Sequence, residues 1–501
     1  MSNEKELSSS VQADTIESIS TIQYSVFSKW RKRYIVGLVA LAAWFSTLSS
    51  FIYYPSIPLI SKDLYLSIAQ VNLSITTYMA ISAIAPSITG DASDIYGRRP
   101  MYLFTLGLYL IANIGLATQS SFVGLLLLRM LQSAGISGIN PSSTFNSKGR
   151  AFSIAYGVVA DVAMPSERGS YVGALTFGIT SAPALGPLIG GAISHSLGWR
   201  WIFWLLSIVS GACLTAMMLL LPETARGVVG NGSLRPPPYS RLIGLPGSTL
   251  KTSTSSSEST PMKRKRSFPN PLKSLTLLLS KDNAAVAFAG AFLYTTFCCI
   301  SASLGTLFVN IYQLNELQAG LIYLPFGIGC SLAAITSGKL IDRDYRITAK
   351  LHGLSIDRAR GDDLRNFPVE MARLRSVFVP LVVSVVSVIG FGWAVEKEAP
   401  LAVPLVIQFI SGLAIQTCFN ATNTLRVDIN PRAPAAAQAS SNFVRCTLAA
   451  IAVAFLQKMI DRIGVGPTFS FFGCLYSLSG VLFVIERKWG MKWRLQRLRF
   501  T

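Results

Sequence analysis

The chain has 501 residues, of which 51% are hydrophobic and only 14% are charged, and its mean hydropathy is +0.47. This balance excludes a soluble globular protein of ordinary composition. The formal net charge of +20 is a value that nucleic-acid-binding proteins also reach. The distribution of the basic residues along the chain distinguishes nucleic-acid binding from membrane topology.

Residues 1–33 are polar and lack the apolar core of a cleavable signal peptide, so we predict a disordered cytoplasmic N-terminus. Twelve apolar runs follow, each able to supply the ~20 residues that cross a bilayer. They lie at roughly 34–56, 71–90, 100–118, 121–162 (interrupted), 170–193, 201–221, 284–309, 318–341, 376–395, 401–424, 436–459 and 465–486. We therefore predict an all-α membrane protein with twelve transmembrane helices, in two six-helix halves, 34–221 and 284–486.

The basic residues orient these spans. With the N-terminus in the cytoplasm, 35 of the 44 Lys and Arg residues fall on the cytoplasmic side and five on the outer side. This asymmetry obeys the positive-inside rule. The charge therefore fixes the orientation of the chain in the lipid bilayer, and we predict no binding to nucleic acid.

The hydrophilic link between spans 2 and 3 carries Gly90, Asp94, Gly97, Arg98 and Arg99 in the pattern Gly-x-x-x-Asp-x-x-Gly-Arg-Arg. The glycines permit a sharp turn, and the arginines hold the link in the cytoplasm. This spacing resembles the loop signature of the major facilitator superfamily. The resemblance implies the major facilitator fold, with two pseudo-symmetric halves and a loop that takes part in conformational switching.

Span 4 carries Arg129 at membrane depth, which costs about 2.5–3.5 kcal/mol on the mildest scale, so we expect it to face a polar interior. Gln132 shares its helix face. Arg-x-x-Gln-x-x-Gly resembles the fourth-span motif of proton-coupled facilitators, which implies a role for Arg129 in proton transfer. A snorkelling arginine near the outer interface is the alternative. Because the central thirds of the spans hold no Asp or Glu, Asp161 at the inner end of span 4 is the remaining titratable candidate.

Residues 138–150 interrupt span 4 with turn-forming sequence that includes Asn140-Pro141 and two charges. Polar backbone of this kind cannot be exposed to lipid. Removing the segment would join Ser137 to Ala151 and restore a single span. We interpret this anomalous insertion as a translated intron or an error of the gene model. A real loop that bulges into the pore or the outer vestibule is the alternative.

Span 5 carries small residues every four positions, a stripe on which another helix can pack closely. The run Ala182-x-x-x-Gly186-Pro187-x-x-Gly190-Gly191 resembles the antiporter signature, with Ala182 in place of its first glycine. The resemblance implies an exchanger rather than a symporter.

A polar segment, 222–283, divides the two halves, and its proline run, Ser/Thr-rich stretch and basic cluster predict a largely disordered cytoplasmic linker. At the end of span 8, Gly338, Asp342 and Arg343 repeat part of the 2–3 link without its Gly-Arg-Arg. A basic cytoplasmic tail, 487–501, ends the chain. Neither the seven cysteines nor the two histidines show metal-site spacing. We predict no metal, no cofactor, no catalytic residue and no enzymatic activity.

Five further segments resemble motifs of one transporter family, and they lie at 164–171, 199–204, 221–226, 423–428 and 441–446. Together they resemble the fungal twelve-span drug:proton antiporters, in the branch of quinidine, weak-acid and dityrosine exporters. This resemblance implies a monomeric secondary active transporter that uses the proton gradient to export drugs or other amphipathic or cationic small molecules. The plasma membrane is expected, with a vacuolar membrane as the alternative. A nutrient facilitator or proton symporter, and a transport-inactive product of the broken span 4, are the alternative functions.

Polar and aromatic residues that can face the pore are the candidates for substrate contacts. Gln416, Asn420 and Asn423 share one face of span 10, and Asn442 lies three residues before Arg445 in span 11. The aromatic candidates are Tyr53, Tyr54, Tyr78, Tyr294, Phe297 and Tyr323.

Overall fold

A computed structural model describes residues 26–137, 154–163, 168–230, 237, 240, 276–353, 367–430 and 434–499. All regular structure in these ranges is helical, and ten of the helices are long and apolar enough to cross a membrane. The insertion 138–150 and most of the linker 222–283 lie outside the described residues.

The twelve predicted spans all have helical counterparts. Their bounds are: span 1, Lys29–Phe51 and Ile57–Asp63, joined by the 3-10 turn Tyr54–Ser56; span 2, Ile68–Tyr96; span 3, Arg98–Thr118; span 4, Phe122–Ser137 and Ile154–Val162; span 5, Arg168–Leu197; span 6, Arg200–Leu220; span 7, Lys281–Tyr312; span 8, Glu316–Leu321 and Leu324–Leu351; span 9, Phe378–Glu396; span 10, Ala402–Ile429; span 11, Pro434–Ile463; and span 12, Val465–Arg499. Shorter helices are Arg226–Val229, Val369–Arg373 and the 3-10 helix Thr276–Leu279.

Several helices extend beyond the apolar runs. Span 1 begins at Lys29, inside the predicted N-terminal segment, and span 8 continues ten residues past its predicted end to Leu351. Span 12 continues to Arg499, so the basic tail is helical up to that residue. Hydropathy marks only the lipid-embedded part of a helix, whereas the backbone hydrogen bonds continue into the aqueous side.

The two halves begin their second spans with the same device. Ser67 and Gln70 form a capping box at the start of span 2, in which the Gln70 backbone N–H donates to the Ser67 hydroxyl at 3.2 Å. Asn315 and Gln318 form the equivalent box at the start of span 8, at 2.8 Å. Each box satisfies helix N–H groups that would otherwise lack a partner.

The halves meet along two pairs of spans. Spans 2 and 11 pack together, and the Thr76 hydroxyl donates to the Ala450 carbonyl at 3.2 Å. Spans 5 and 8 pack together, and the Ser331 hydroxyl donates to the Thr180 carbonyl at 3.3 Å. A cavity lies between these two lines of contact.

On the outer side the halves touch tightly. A Cβ atom added to Gly320 of span 8 would lie 3.1 Å from the Gly191 α-carbon of span 5, and the His195 and Glu316 side chains approach to 3.4 Å. The cavity lining, by contrast, continues down to Ile341 and Asp428 at the cytoplasmic ends of spans 8 and 10. The described spans are therefore in an inward-facing arrangement.

Candidate functional site

The cavity between the halves has a volume of about 590 Å³ and is lined by spans 1, 2, 4, 5, 7, 8, 10 and 11. This volume is in the range of small-molecule binding sites. Nine of the eleven residues predicted to contact substrate line it. They are Tyr54, Tyr78, Tyr294, Phe297, Gln416, Asn420, Asn423, Asn442 and Arg445.

The other two candidates lie outside the cavity lining. The Tyr53 hydroxyl shares a hydrogen bond with the Ser74 hydroxyl at 2.9 Å, and its ring contacts Arg129 from behind the cavity wall. Tyr323 joins the start of span 8 to span 7. Its hydroxyl donates to the Ser301 carbonyl at 2.9 Å and accepts from the Gly305 N–H at 3.1 Å.

Aromatic rings form one wall of the cavity. Phe51 of span 1 and Phe297 of span 7 meet edge to face across the halves, with ring centroids 5.9 Å apart. Tyr294 stacks on Phe297 at 6.0 Å and meets Phe419 edge to face at 6.1 Å. Phe51 and Phe419 were missed from the sequence. The available signal was helical spacing, since Phe51 lies three residues before Tyr54 and Phe419 three after Gln416.

The amide face of span 10 is organised by hydrogen bonds. Gln416 donates to the Asn420 side-chain oxygen at 2.9 Å, and Asn420 donates to the Ser337 hydroxyl at 2.7 Å. Asn423 accepts from Arg426 at 3.0 Å. The three amides line the cavity at i, i+4 and i+7, as the sequence spacing predicts.

Arg129 lies at the cavity wall with its guanidinium between two aromatic rings, 4.3 Å from the Tyr53 centroid and 4.6 Å from the Tyr78 centroid. Its Nη1 donates to the Gln132 side-chain oxygen at 2.5 Å, and Gln132 donates to Asn113 at 2.7 Å. The side chain is only 2% exposed, so it is held within the helix bundle and does not snorkel to the interface.

Arg445 occupies the opposite half of the same cavity. Its Nε donates to the Asn442 side-chain oxygen at 2.9 Å, and its guanidinium lies 4.8 Å from the centroid of the Tyr294 ring. Asn442 in turn donates to the Ser82 carbonyl of span 2 at 2.9 Å. Arg445 is therefore positioned by a contact that joins the two halves.

Asp161 does not line the cavity. It lies 8% exposed at the cytoplasmic end of span 4, where it pairs with Arg98 Nε at 3.1 Å. The structure therefore separates it from Arg129 and Gln132, with which the sequence grouped it as a candidate for proton coupling. Arg226 also donates to the Asp161 backbone carbonyl, at 3.1 Å and 3.2 Å.

The link between spans 2 and 3 is held by Glu223, which the sequence matched to the family but did not single out as a site residue. Its carboxylate accepts from the backbone N–H of Arg98 at 2.8 Å and of Arg99 at 3.3 Å. Gly97 has φ +109°, a conformation that disfavours any side chain. The side-chain surroundings of Gly90 and Asp94 lie outside the described part of the chain.

The partial repeat of this link forms no equivalent network. Gly338 lines the cavity, and Asp342 and Arg343 are exposed. The second half instead buries an ion pair between Glu370 and Arg494, with Nε and Oε1 2.8 Å apart. Burial raises the pKa of Glu370, and the Arg494 charge acts in the opposite direction. No sequence signal identified this pair, whose members are 124 residues apart.

Span 5 uses its small residues on two faces. Gly186 and Gly190 lie against span 1, since a Cβ atom at Gly186 would lie 2.9 Å from Phe51 Cβ and one at Gly190 would lie 3.0 Å from the Ile52 carbonyl carbon. Ala182 is fully buried. Pro187 and Gly191 face span 8, where a Cβ atom at Gly320 would lie 2.6 Å from the Pro187 carbonyl oxygen.

Comparisons with known proteins agree with this architecture. The family model described as Major Facilitator Superfamily matches residues 39–454. The MFS-type transporter phiD from a fungal species is 36% identical over 474 residues, which cover 94% of this chain and 70% of the relative. Citrate exporter 1 of Aspergillus niger is 33% identical over 503 residues, which cover 98% and 92%.

A solved structure has the same fold at low sequence identity. It is a bacterial homologue of the human lysosomal transporter Spinster, in an inward-facing and unoccupied conformation, and it is 13% identical with a TM-score of 0.57. The match covers 94% of this chain and 99% of that one. On the family match, the relatives and the helical architecture together, the chain belongs to the major facilitator superfamily and is a multi-pass membrane protein.

Proposed function

We propose that the chain is a secondary active exporter, which carries amphipathic small molecules out of the cytoplasm by alternating access and is driven by proton entry. The observation that carries this proposal is the cavity of about 590 Å³ between the two halves. It reaches the cytoplasmic ends of spans 8 and 10 and is closed on the outer side by contacts of spans 5 and 8.

The direction of transport is supported by two features. Pro187 and Gly191 of the antiporter motif in span 5 form the outer contact with Gly320, where small residues let two helices close and separate with little rearrangement. The relative Citrate exporter 1 is, by its name, an exporter. The mixed aromatic and amide lining suits a solute with an apolar body and a polar group.

Proton coupling is proposed through Arg129. A guanidinium in the membrane interior is retained where it has a function, and this one lies at the cavity wall with no carboxylate partner among the described residues. It can therefore favour the ionised form of a weakly acidic group that enters the cavity. One chain forms the whole cavity, which supports a monomer, and we propose the plasma membrane as its location.

Uptake into inside-out vesicles tests the function directly, because their outer surface is the cytoplasmic face. With a panel of amphipathic toxins, uptake should require an acidic lumen and disappear when a protonophore collapses the gradient. Vesicles from cells without the transporter provide the background. Uptake that requires an alkaline lumen would indicate a symporter, and no uptake under either gradient would indicate an inactive protein.

A further inference from the structure

The charges on the cavity wall are unbalanced. Arg129, Arg445 and Asp428 are the charged residues that line the cavity in the described part of the chain. Asp428 lies at the cytoplasmic edge and is already paired with Arg373, whose Nε is 2.7 Å from Asp428 Oδ2. Neither Arg129 nor Arg445 has a carboxylate partner among the described residues, so the cavity carries two positive charges without a counterion.

Both arginines retain hydrogen-bonding capacity. Arg129 uses Nη1 for Gln132, whereas its buried Nε makes no hydrogen bond. Arg445 uses Nε for Asn442 and its guanidinium also interacts with the Cys446 side chain, which leaves further N–H donors of its five for a ligand. Tyrosine rings supply part of the stabilisation that each cation loses on leaving water. A ring does not replace a carboxylate, which accepts charge-assisted hydrogen bonds.

We propose that the cavity selects amphipathic organic anions, above all carboxylates with an aromatic or aliphatic body, over cations of the same size. The carboxylate lies against Arg129 or Arg445, and the apolar body packs against Phe51, Phe297 and Phe419. A cation would meet two like charges and, among the lining residues that the structure describes, no free carboxylate. This assignment rests on the proposed function, because it names the substrate class of the same cavity.

Binding to the purified full-length chain, in nanodiscs of phosphatidylcholine at pH 7, tests the assignment without any gradient. The probes are pairs with a common body: naphthoate with naphthylmethylammonium, and biphenylcarboxylate with biphenylmethylammonium. Affinity is measured by tryptophan fluorescence quenching, and thermal stabilisation serves as the second readout. We expect the anion of each pair to bind at least ~10-fold more tightly than the cation.

Arg445→Gln should weaken anion binding by ~10-fold or more and leave cation binding unchanged or stronger, and Arg129→Gln should act in the same direction. Arg445→Lys should fall between these variants and the parent, since it keeps the charge but loses the planar fork. Arg462→Gln is the matched control, because Arg462 is exposed at the outer end of the same span.

Equal affinity for the two members of a pair, or tighter binding of the cation, would overturn the anion assignment. Binding of neither member of either pair would overturn it as well, since two unpaired guanidinium groups beside an aromatic wall should retain such anions. The proposed function fails separately. Vesicles without gradient-driven transport would refute the proposed function even if anions bind. Gradient-driven export with a preference for cations would support the proposed function and refute only the anion assignment.

Discussion

Arg129 is held in place by aromatic and amide neighbours, and no carboxylate pairs with it among the described residues. Its guanidinium lies between two tyrosine rings. Its Nη1 donates a hydrogen bond to Gln132, which in turn donates to Asn113. Each cation–π contact is worth about 2 kcal/mol when desolvated, so the two rings and the hydrogen bond together are of the same order as the several kcal/mol that burying a cation costs. A charge retained in a membrane interior in this way marks a functional site.

In the version lacking 138–150, we expect Arg129→Ala to lower gradient-driven efflux by at least ~10-fold, because one lost charged hydrogen bond of about 1.5–3 kcal/mol corresponds to that factor or more. Arg129→Lys should retain part of the activity. The measurement is uptake by inside-out vesicles at equal protein content, with folding checked by size-exclusion chromatography. Parental efflux in the alanine variant would leave Arg129 as a structural residue.

At the scale of the helix, span 5 packs against helices of both halves. One face packs on span 1 through Gly186 and Gly190, and the other meets span 8 through Gly191. On the outer side, Gly191 and Gly320 are in close contact in this closed arrangement. Small residues at this crossing therefore set the balance between inward- and outward-facing states.

Gly191→Val should shift the protein towards the outward-facing state, because a Cβ atom at this position would lie 2.8 Å from the Gly320 α-carbon. The readout is the labelling rate of a cysteine introduced at Ser50, which lines the cavity, by an impermeant thiol reagent added from the outer side. Gly107→Val is the control, since nothing lies within 4 Å of a Cβ atom there. An unchanged labelling rate in Gly191→Val would show that the outer contact does not control the equilibrium.

A second element-scale feature joins the short helix Val369–Arg373 to span 12. Glu370 pairs with Arg494, which also donates to the Phe367 carbonyl at 2.8 Å. Because burial raises the pKa of Glu370 above 4.5, its protonated form favours the folded state. That contribution is fully present below the unfolded pKa and is lost as the pH rises through the folded pKa.

Arg494→Gln should therefore destabilise the protein by about 3–5 kcal/mol at neutral pH, since it leaves a buried carboxylate without its partner. The deficit should shrink as the pH falls through the raised pKa of Glu370. Thermal unfolding across this pH range measures both effects. Lys492→Gln, an exposed position on the same helix, should change stability little. A deficit that is independent of pH would mean that Glu370 does not titrate in this range.

For the whole molecule, activity depends on span 4, whose sequence residues 138–150 divide. Both flanking helices pack in the N-terminal half. The Ser46 hydroxyl of span 1 donates to the Ile136 carbonyl at 3.1 Å, and Asp161 of the second helix pairs with Arg98. Each flank thus makes its own tertiary contacts.

A version lacking 138–150 should protect a sensitive host against at least one amphipathic toxin, whereas the chain as written should protect weakly or not at all. The physical reason is that the deletion joins two apolar segments into one span without a polar break. The comparison is made at equal membrane abundance, and sequencing of the spliced transcript shows which form the cell makes. Equal protection from both versions would show that the insertion is tolerated.

The sequence by itself determined the membrane-spanning architecture and the superfamily and predicts the orientation, because hydropathy, the Gly97-Arg98-Arg99 link and basic-residue asymmetry are local properties of the chain. It also placed Gln416, Asn420 and Asn423 on one helix face, since that follows from helical spacing alone. Only the tertiary structure decided that Tyr54 lines the cavity while its neighbour Tyr53 supports Arg129 from behind.

Only the tertiary structure also shows which groups meet when they are distant in sequence. Glu223 reaches the Arg98 backbone across 125 positions, Glu370 reaches Arg494 across 124, and Asp161 lies away from the cavity. Among the described lining residues, the charge of the cavity comes from two arginines without a carboxylate partner and one paired aspartate, and it emerges only when spans 4, 10 and 11 are brought together. Helices that are apolar all round have no strong face to fix their rotation, so close packing and long-range polar contacts decide which residues meet.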